Sequence, residues 1–275
     1  MLRFCGYIGI AMLLNPAMVG HPQSRPRYYF VLVRLALVEA AGCSVESIKQ
    51  LLATVLTCFL ARHPPADLDS FFLSEDHPEV LQQKAKDAAT LRHMTSAECM
   101  PEPHKAGRLK WVPKHEERGL RNASSSNWRP ADHAARFPAF ALLGPRMQEL
   151  LEDLGVEFPS ESRGLYNMSQ STVSGGSVSP TVTPGMILWL SHRGRLAQCR
   201  EKAALQGLWL SDEQWSAILT VMSPSQVCDL AGNAFCTAVV VPSQLTAFTV
   251  LGRLRVLAKS RAILPRAPPR PRADR

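Results

Sequence analysis

The sequence predicts an α/β fold, and three observations predict it. Near the N-terminus an apolar run, Gly6 to Leu14, passes through a Pro/Gly-bearing turn into a second run, Tyr28 to Leu35, the pattern of strand, turn and strand. Apolar residues then recur at helical spacing from Ser44 to Arg62. From Met186 a short strand pattern returns and gives way to successive helical stretches.

Taken in order, the first strand covers residues 6–14 and the second 28–35. Ser44 can cap a helix that runs to Arg62, with Glu46 and Ser47 in its first turn and Pro64-Pro65 beyond its end. Its apolar stripe is Ile48, Leu51, Leu52, Val55, Phe59 and Leu60. A more polar helix is expected from Pro78 to Met94. Five prolines break residues 99–138, where Ser124-Ser125-Ser126 adds flexibility. A short helix from Pro145 to Leu154 and a Ser/Thr/Gly loop from Ser169 to Pro184 follow. The last part reads as a strand over 186–191, a turn at Arg193-Gly194-Arg195, and helices over 199–206, 211–222, 225–235 and 243–258. No internal repeat is present.

The 275 residues suffice for one large or two small domains, and a chain 46% hydrophobic and 20% charged is globular in composition. The formal net charge of +8 is concentrated at one end, because residues 253–275 carry eight Lys/Arg against one Asp. The basic balance is thus a property of the tail, which is rich in proline and arginine and is expected to be disordered from 259 onward. Whole-protein nucleic-acid binding does not follow from it. Seven scattered cysteines without a C-x-x-C pair argue against a zinc site or a disulfide framework. Free thiols in a reducing compartment are the simpler expectation. Arg3 and the apolar run behind it have the outline of a short signal peptide but are too short to span a bilayer. The expectation here is a buried strand, and no membrane partner.

Chemistry concentrates at Gln23-Ser24-Arg25-Pro26-Arg27, preceded by Leu14-Asn15-Pro16-Ala17-Met18-Val19-Gly20-His21-Pro22. Alternate positions on extended chain share a face, and a guanidinium is a rigid fork of donors suited to a base edge or phosphate. The same pair of arginines also suits salt bridges guarding a strand edge. This stretch resembles the eighth conserved motif of the DNA cytosine-5 methyltransferases, L-N-A-x-x-Y-G-V-P-Q-x-R-x-R. Two later segments resemble that family's ninth and tenth motifs. Arg195-Leu196-Ala197-Gln198-Cys199-Arg200-Glu201-Lys202-Ala203-Ala204-Leu205-Gln206-Gly207 is similar to R-x-L-(S/T)-x-R-E-x-A-x-L-Q-G-F. Gln226 to Phe235, with Gly232-Asn233-Ala234, is similar to (Q/L)-x-G-N-(A/S)-(V/F). Val19 and His21 depart from the eighth motif, and Trp209 stands near the usual Phe-Pro of the ninth.

The resemblance implies a partial Rossmann-like, S-adenosylmethionine-dependent methyltransferase domain carrying an inserted, mostly helical or irregular target-recognition region. It implies that Arg27 contacts the carbonyl of an extruded cytosine, with Arg25 and Gln23 securing the site. It implies that Gly232 and Asn233 help to wall the cofactor pocket. The family's Pro-Cys-Gln nucleophile, its Glu-Asn-Val and its F-x-G-x-G turn are missing, and the sequence has no G-x-G at all. Those motifs precede the eighth in the usual order. The expectation is therefore a C-terminal portion, inactive alone, that uses S-adenosylmethionine only when completed by an N-terminal half.

The expected organisation is late strands of the catalytic domain at 1–35 and a target-recognition-like region at 36–180. Residues 181–258 return to the catalytic domain, and the tail is 259–275. Within 104–129, seven Lys/Arg and Trp111 and Trp128 suit either phosphate contact with base stacking or a solvated loop. The expected partners are DNA and a complementary N-terminal methyltransferase half, in a nucleus or another intracellular reducing compartment. A non-catalytic nucleic-acid-binding or scaffold protein that keeps the recognition region is the alternative.

Overall fold

The computed structural model describes residues 2–4, 6–60, 66–93, 138–143, 147, 151, 164–168, 172–174 and 178–263. The expectations for 99–137, most of 145–154 and 264–275 lie outside the described residues. In chain order the strands are β1 (Leu2–Phe4), β2 (Tyr7–Leu14), β3 (Arg27–Arg34), β4 (Leu165–Asn167), β5 (Thr172–Ser174), β6 (Leu188–Leu190) and β7 (Arg195–Leu196). The helices are α1 (Leu35–Ala40), α2 (Val45–Phe59), α3 (Pro78–His93), α4 (Pro138–Ala141), α5 (Cys199–Ala204), α6 (Asp212–Val221), α7 (Pro224–Asn233) and α8 (Thr237–Ile263). Packing groups them into two compact units. One holds residues 1–19, 26–63 and 238–275, and the other holds 20–25 and 64–237.

The first unit is built on the antiparallel sheet β1-β2-β3, in which Leu14 pairs with Arg27 and Tyr7 with Arg34. The alternation of β3 sends Val31 and Val33 inward and leaves Tyr28, Phe30 and Leu32 exposed. Ile8, Met12 and Leu14 join them in a core closed by Ile48, Leu52 and Leu56 of α2 and by Val239, Val250 and Leu254 of α8. Ser44 caps α2 as expected, accepting from the Ser47 amide at 3.1 Å. The buried stripe of α2 is Ile48, Leu52 and Leu56, whereas Phe59, expected inside, is 37% exposed. Leu56 replaces it because the true period of the helix carries the stripe from 52 to 56.

Helix α8 begins six residues before the expected start at 243 and runs to Ile263, into the stretch expected to be tail. Pro242 lies inside this helix, where a proline removes one backbone donor. The chain stays helical across it because Val239 is fully buried and Ser243 donates to the Val239 carbonyl at 2.8 Å. By length and composition alone α8 is able to cross a membrane, but its Val250 and Leu254 are spent in the core of this unit.

The second unit carries a four-stranded antiparallel sheet, order β5-β4-β6-β7. The sequence pattern suggested only β6, as a longer strand over 186–191. The other strands are two or three residues long, too short to print a period of two. Leu165, Leu188 and Leu190 pack with Phe71, Phe72, Val182, Met186 and Leu205 in one cluster. Trp189 packs with Phe140, Leu143, Leu151 and Met168 in another. Helices α6 and α7 both start on capping boxes, Ser211 with Gln214 and Ser223 with Gln226, and Pro224 occupies the first turn of α7.

The architecture is thus mixed, helices with small antiparallel sheets. Every strand pairing among the described residues is antiparallel, apart from one isolated parallel bridge between Gln23 and Ser179.

Leu52 is 2% exposed at the centre of the first core. Leu52→Ala should lower stability by about 2–5 kcal/mol, read as a fall in the urea midpoint with unchanged slope. A loss below about 0.5 kcal/mol would show that this unit does not pack around α2.

Candidate functional site

Residues 21–25 run extended beside residues 179–182. The Ser179 amide donates to the Pro22 carbonyl at 2.7 Å, the Ser24 amide to the Ser179 carbonyl at 3.0 Å, and the Thr181 hydroxyl to the Ser24 carbonyl at 2.6 Å. This pairing fixes the direction of the side chains that follow. Arg25 is 7% exposed, and its Nη2 donates to the Gly232 carbonyl at 3.0 Å while Nη1 donates to the Val182 carbonyl. The guanidinium thereby joins the segment resembling the eighth motif to the one resembling the tenth. Arg25 and Gly232 are 207 positions apart in sequence, so the contact is a product of folding alone.

Gly232 is required by this approach. A Cβ there would stand 2.1 Å from the Pro184 nitrogen and 2.3 Å from the Thr183 carbonyl carbon, neither of which can swing away. The glycine that the resemblance puts beside a cofactor lies here against the chain's own backbone. Asn233, the last residue of α7, is exposed. Gln23 is fully buried, and among the described residues neither end of its amide is hydrogen-bonded. Arg27 differs from both of its companions. It is exposed and donates to the Pro26 carbonyl at 2.9 Å. The expected single polar face therefore divides into two buried heads and one solvent-facing head, since the extended pairing partner ends before β3 begins.

The segment resembling the ninth motif forms a buried ionic knot that the sequence reading missed. The sequence pattern there gave a helix over 199–206 and no ion pair. Instead Glu201, 1% exposed, takes both Arg195 Nη groups at 2.8 and 2.9 Å, the Leu73 amide at 2.7 Å and the Gln198 amide at 2.6 Å. Burial works against the charge of Arg195, but Glu201 and Glu75 more than offset it and raise the guanidinium's pKa. Burial also works to raise the Glu75 carboxyl, and hydrogen bonds from Lys84 and Arg195 outweigh it, leaving the group below its ordinary value. Arg200 turns outward to Glu79 at 2.8 Å and Asp212 at 2.5 Å. The signal that could have found the knot is the six-residue spacing of Arg195 and Glu201 across a strand-to-helix turn, which is longer than any helical pairing rule covers.

His21 is 7% exposed, with its Nε2 2.7 Å from the Leu205 carbonyl and its ring edge-on to Phe71. A carbonyl partner requires that nitrogen to carry the proton. Lys202 is buried as well and donates to the Met186 carbonyl at 2.7 Å. Among the described residues no His, Cys, Asp and Glu group is arranged to hold a metal ion, and Cys43, Cys58, Cys199, Cys228 and Cys236 are free thiols.

No protein-family model matches the chain. The DNA (cytosine-5-)-methyltransferase DMT5 of Cryptococcus neoformans var. grubii is 35% identical to it over 91 residues. That stretch is 31% of this chain and 4% of the length of the fungal protein. The similarity supports a distant methyltransferase-like relationship.

Two outcomes follow from the buried groups. Glu201→Gln strips the charge that neutralises a buried guanidinium, and should cost about 3–5 kcal/mol at neutral pH. The double variant with Arg195→Met should recover a large part of that loss, and additive losses would contradict the pairing. His21 generates a pH window. Burial, the larger effect, lowers its pKa below 6.5 despite the Leu205 hydrogen bond. The unfolded imidazole then takes its proton at higher pH than the folded one. Stability is full above 6.5 and declines as pH falls through that value toward the folded pKa. In His21→Gln the drop in melting temperature between about pH 7.5 and about pH 5.5 should shrink, and an unchanged drop would clear His21 of the effect.

Proposed function

We propose that this chain is the C-terminal portion of a DNA cytosine-5 methyltransferase-like protein, working on cytosine C5 in DNA only with a complementary N-terminal half. The observation that carries the proposal is the hydrogen bond from Arg25 to the Gly232 carbonyl at 3.0 Å. It brings together two segments that the resemblance expects to wall one cleft. The partial identity with the fungal methyltransferase supports the same reading.

The division of labour among the arginines follows from their surroundings. Arg25 spends its donors on backbone carbonyls, so its part is to hold the segment in place, and Gln23, fully buried two positions earlier, belongs to the same extended stretch. Arg27 keeps its guanidinium in solvent and is the group assigned to the cytosine carbonyl, where a fixed donor stabilises charge as the ring is attacked. The attacking thiolate comes from the other half, because no cysteine here follows a proline.

S-adenosylmethionine would supply the methyl group. The residues present do not fit it by themselves. Gly232 faces Thr183 and Pro184, and Asn233 offers one exposed amide without a glycine-rich turn. In this proposal Asn233 contributes one wall and the complementary half supplies the rest.

The bare face of β3 also supports completion by a second polypeptide. Tyr28, Phe30 and Leu32 are 63%, 58% and 53% exposed opposite an apolar inner face. Strands apolar on both sides are those covered on both sides. The domain organisation stated above, with its recognition region at 36–180, and the nuclear or other intracellular setting belong to the same proposal.

The test mixes this chain with a polypeptide bearing Pro-Cys-Gln, Glu-Asn-Val and F-x-G-x-G, and measures methyl transfer to cytosine in DNA. Activity should appear only in the mixture. Unaided DNA binding that weakens steeply with salt, without activity in any mixture, would favour a nucleic-acid-binding scaffold instead. In the active mixture Arg27→Ala should lower turnover by about 10²–10³-fold while changing DNA affinity by less than about threefold. Equal losses in rate and affinity would remove Arg27 from the base contact.

A further inference from the structure

The second unit contains a cavity of about 720 Å³, lined in part by the segments resembling the ninth and tenth motifs, to which none of the roles above is assigned. Its walls are one face of α3, the stretch at 138–143, the turn from Arg193 to Cys199 and the first turns of α7. The volume is that of a small-molecule site. Ala139, Leu142, Leu143 and Leu196 line much of it with hydrocarbon.

Four charged side chains reach this wall, and three of them are matched. Lys84 meets Glu75 at 2.8 Å, Arg193 meets Glu75 at 3.4 Å and Asp69 at 3.6 Å, and Arg195 meets Glu201 at 2.8 Å. The fourth is Asp87. Among the described residues its carboxylate has an amide for a partner, Gln83 Nε2 at 2.6 Å, and no cation within ion-pair distance. Lys86, next to it on the helix, is exposed. Burial pushes the Asp87 carboxyl up, against the Gln83 hydrogen bond and the field of Lys86. A half-buried carboxylate at the edge of an apolar hollow gains from a ligand that brings a positive charge on a hydrocarbon body.

We propose that this cavity binds a small organic amine, its apolar body among Leu142, Leu143 and Leu196 and its ammonium on the Asp87 carboxylate. Neutral ligands of the same shape fill the hollow but leave Asp87 unanswered, and anions meet it directly. Selectivity for the amine over its alcohol isostere is therefore the signature of the site. Cys228 lines the same cavity and reports on occupancy, while Cys58, exposed on α2, serves as the reference thiol. Cys199 is the poorer reporter, since burial first, with Cys228 and Glu79, pushes its thiol up to about 11.

The test uses the full chain with phenylbutylamine and phenylbutanol, followed by calorimetry and by peptide-resolved alkylation with N-ethylmaleimide. The amine should bind about tenfold more tightly than the alcohol, as a charge-assisted hydrogen bond in a partly buried site requires. Saturating amine should slow alkylation of Cys228 and leave Cys58 unchanged. In Asp87→Asn, which keeps the shape of the side chain, the preference for the amine should fall to about unity. Equal affinities for the two probes in the native chain, absence of amine binding, or an unprotected Cys228 would each overturn the proposal, and none of these measurements depends on the variant folding. A preference that survives Asp87→Asn in a folded variant would overturn it too.

Discussion

The second unit depends on one carboxylate kept out of water with all of its obligations met. Glu201 accepts from two guanidinium nitrogens and two backbone amides, so the strand-to-helix turn at 195–201 and the segment around Leu73 are held by the same group. An ion pair this deep contributes little net stability compared with a well-packed apolar alternative, yet losing one partner is costly. The consequence is geometric. Once Glu201 is placed, α5 has a single position, and Lys202 on the Met186 carbonyl and Leu205 under His21 follow from it.

The same logic recurs at Arg25, with backbone carbonyls in place of a carboxylate. A guanidinium binding two carbonyls 50 residues apart in sequence, those of Val182 and Gly232, works as a clip between segments. It requires that α7 approach the 183–184 backbone more closely than any side chain permits, which explains glycine at 232 in terms of this chain's own packing. Arg25 and Arg27 thus illustrate how two like residues, two positions apart, take different duties from different surroundings. One is buried and committed to structure, and the other is exposed, with one nitrogen of its fork on the Pro26 carbonyl.

Much of the fold was legible in the sequence where local chemistry speaks in a local pattern. The strand–turn–strand of β2 and β3, the Ser44 cap, the Pro78 start of α3 and the placements of α6 and α7 came from periodicity and capping residues within a few positions of each other. The misses have a common cause. Strands β4, β5 and β7 are too short to show alternation, and α8 crosses Pro242 because Val239 is buried on the near side. Both are decided by contacts distant in sequence. Of the site, the residue types at 23, 25, 27, 232 and 233 drew notice from their motif, while their burial did not.

Sequence alone determined an α/β chain with a basic tail, the order of the three motif-like segments, and the lack of the nucleophile and cofactor-turn motifs that would stand before them. These are matters of composition, period and residue identity, which survive in one dimension. Tertiary structure decided that Arg25 faces Gly232, that Arg195 and Glu201 share a buried pair, that Arg27 is exposed, and that Asp87 borders a hollow with no cation opposite it among the described residues. Each of those depends on which distant groups desolvate a side chain and which donors remain within about 3 Å, and no local pattern carries that information.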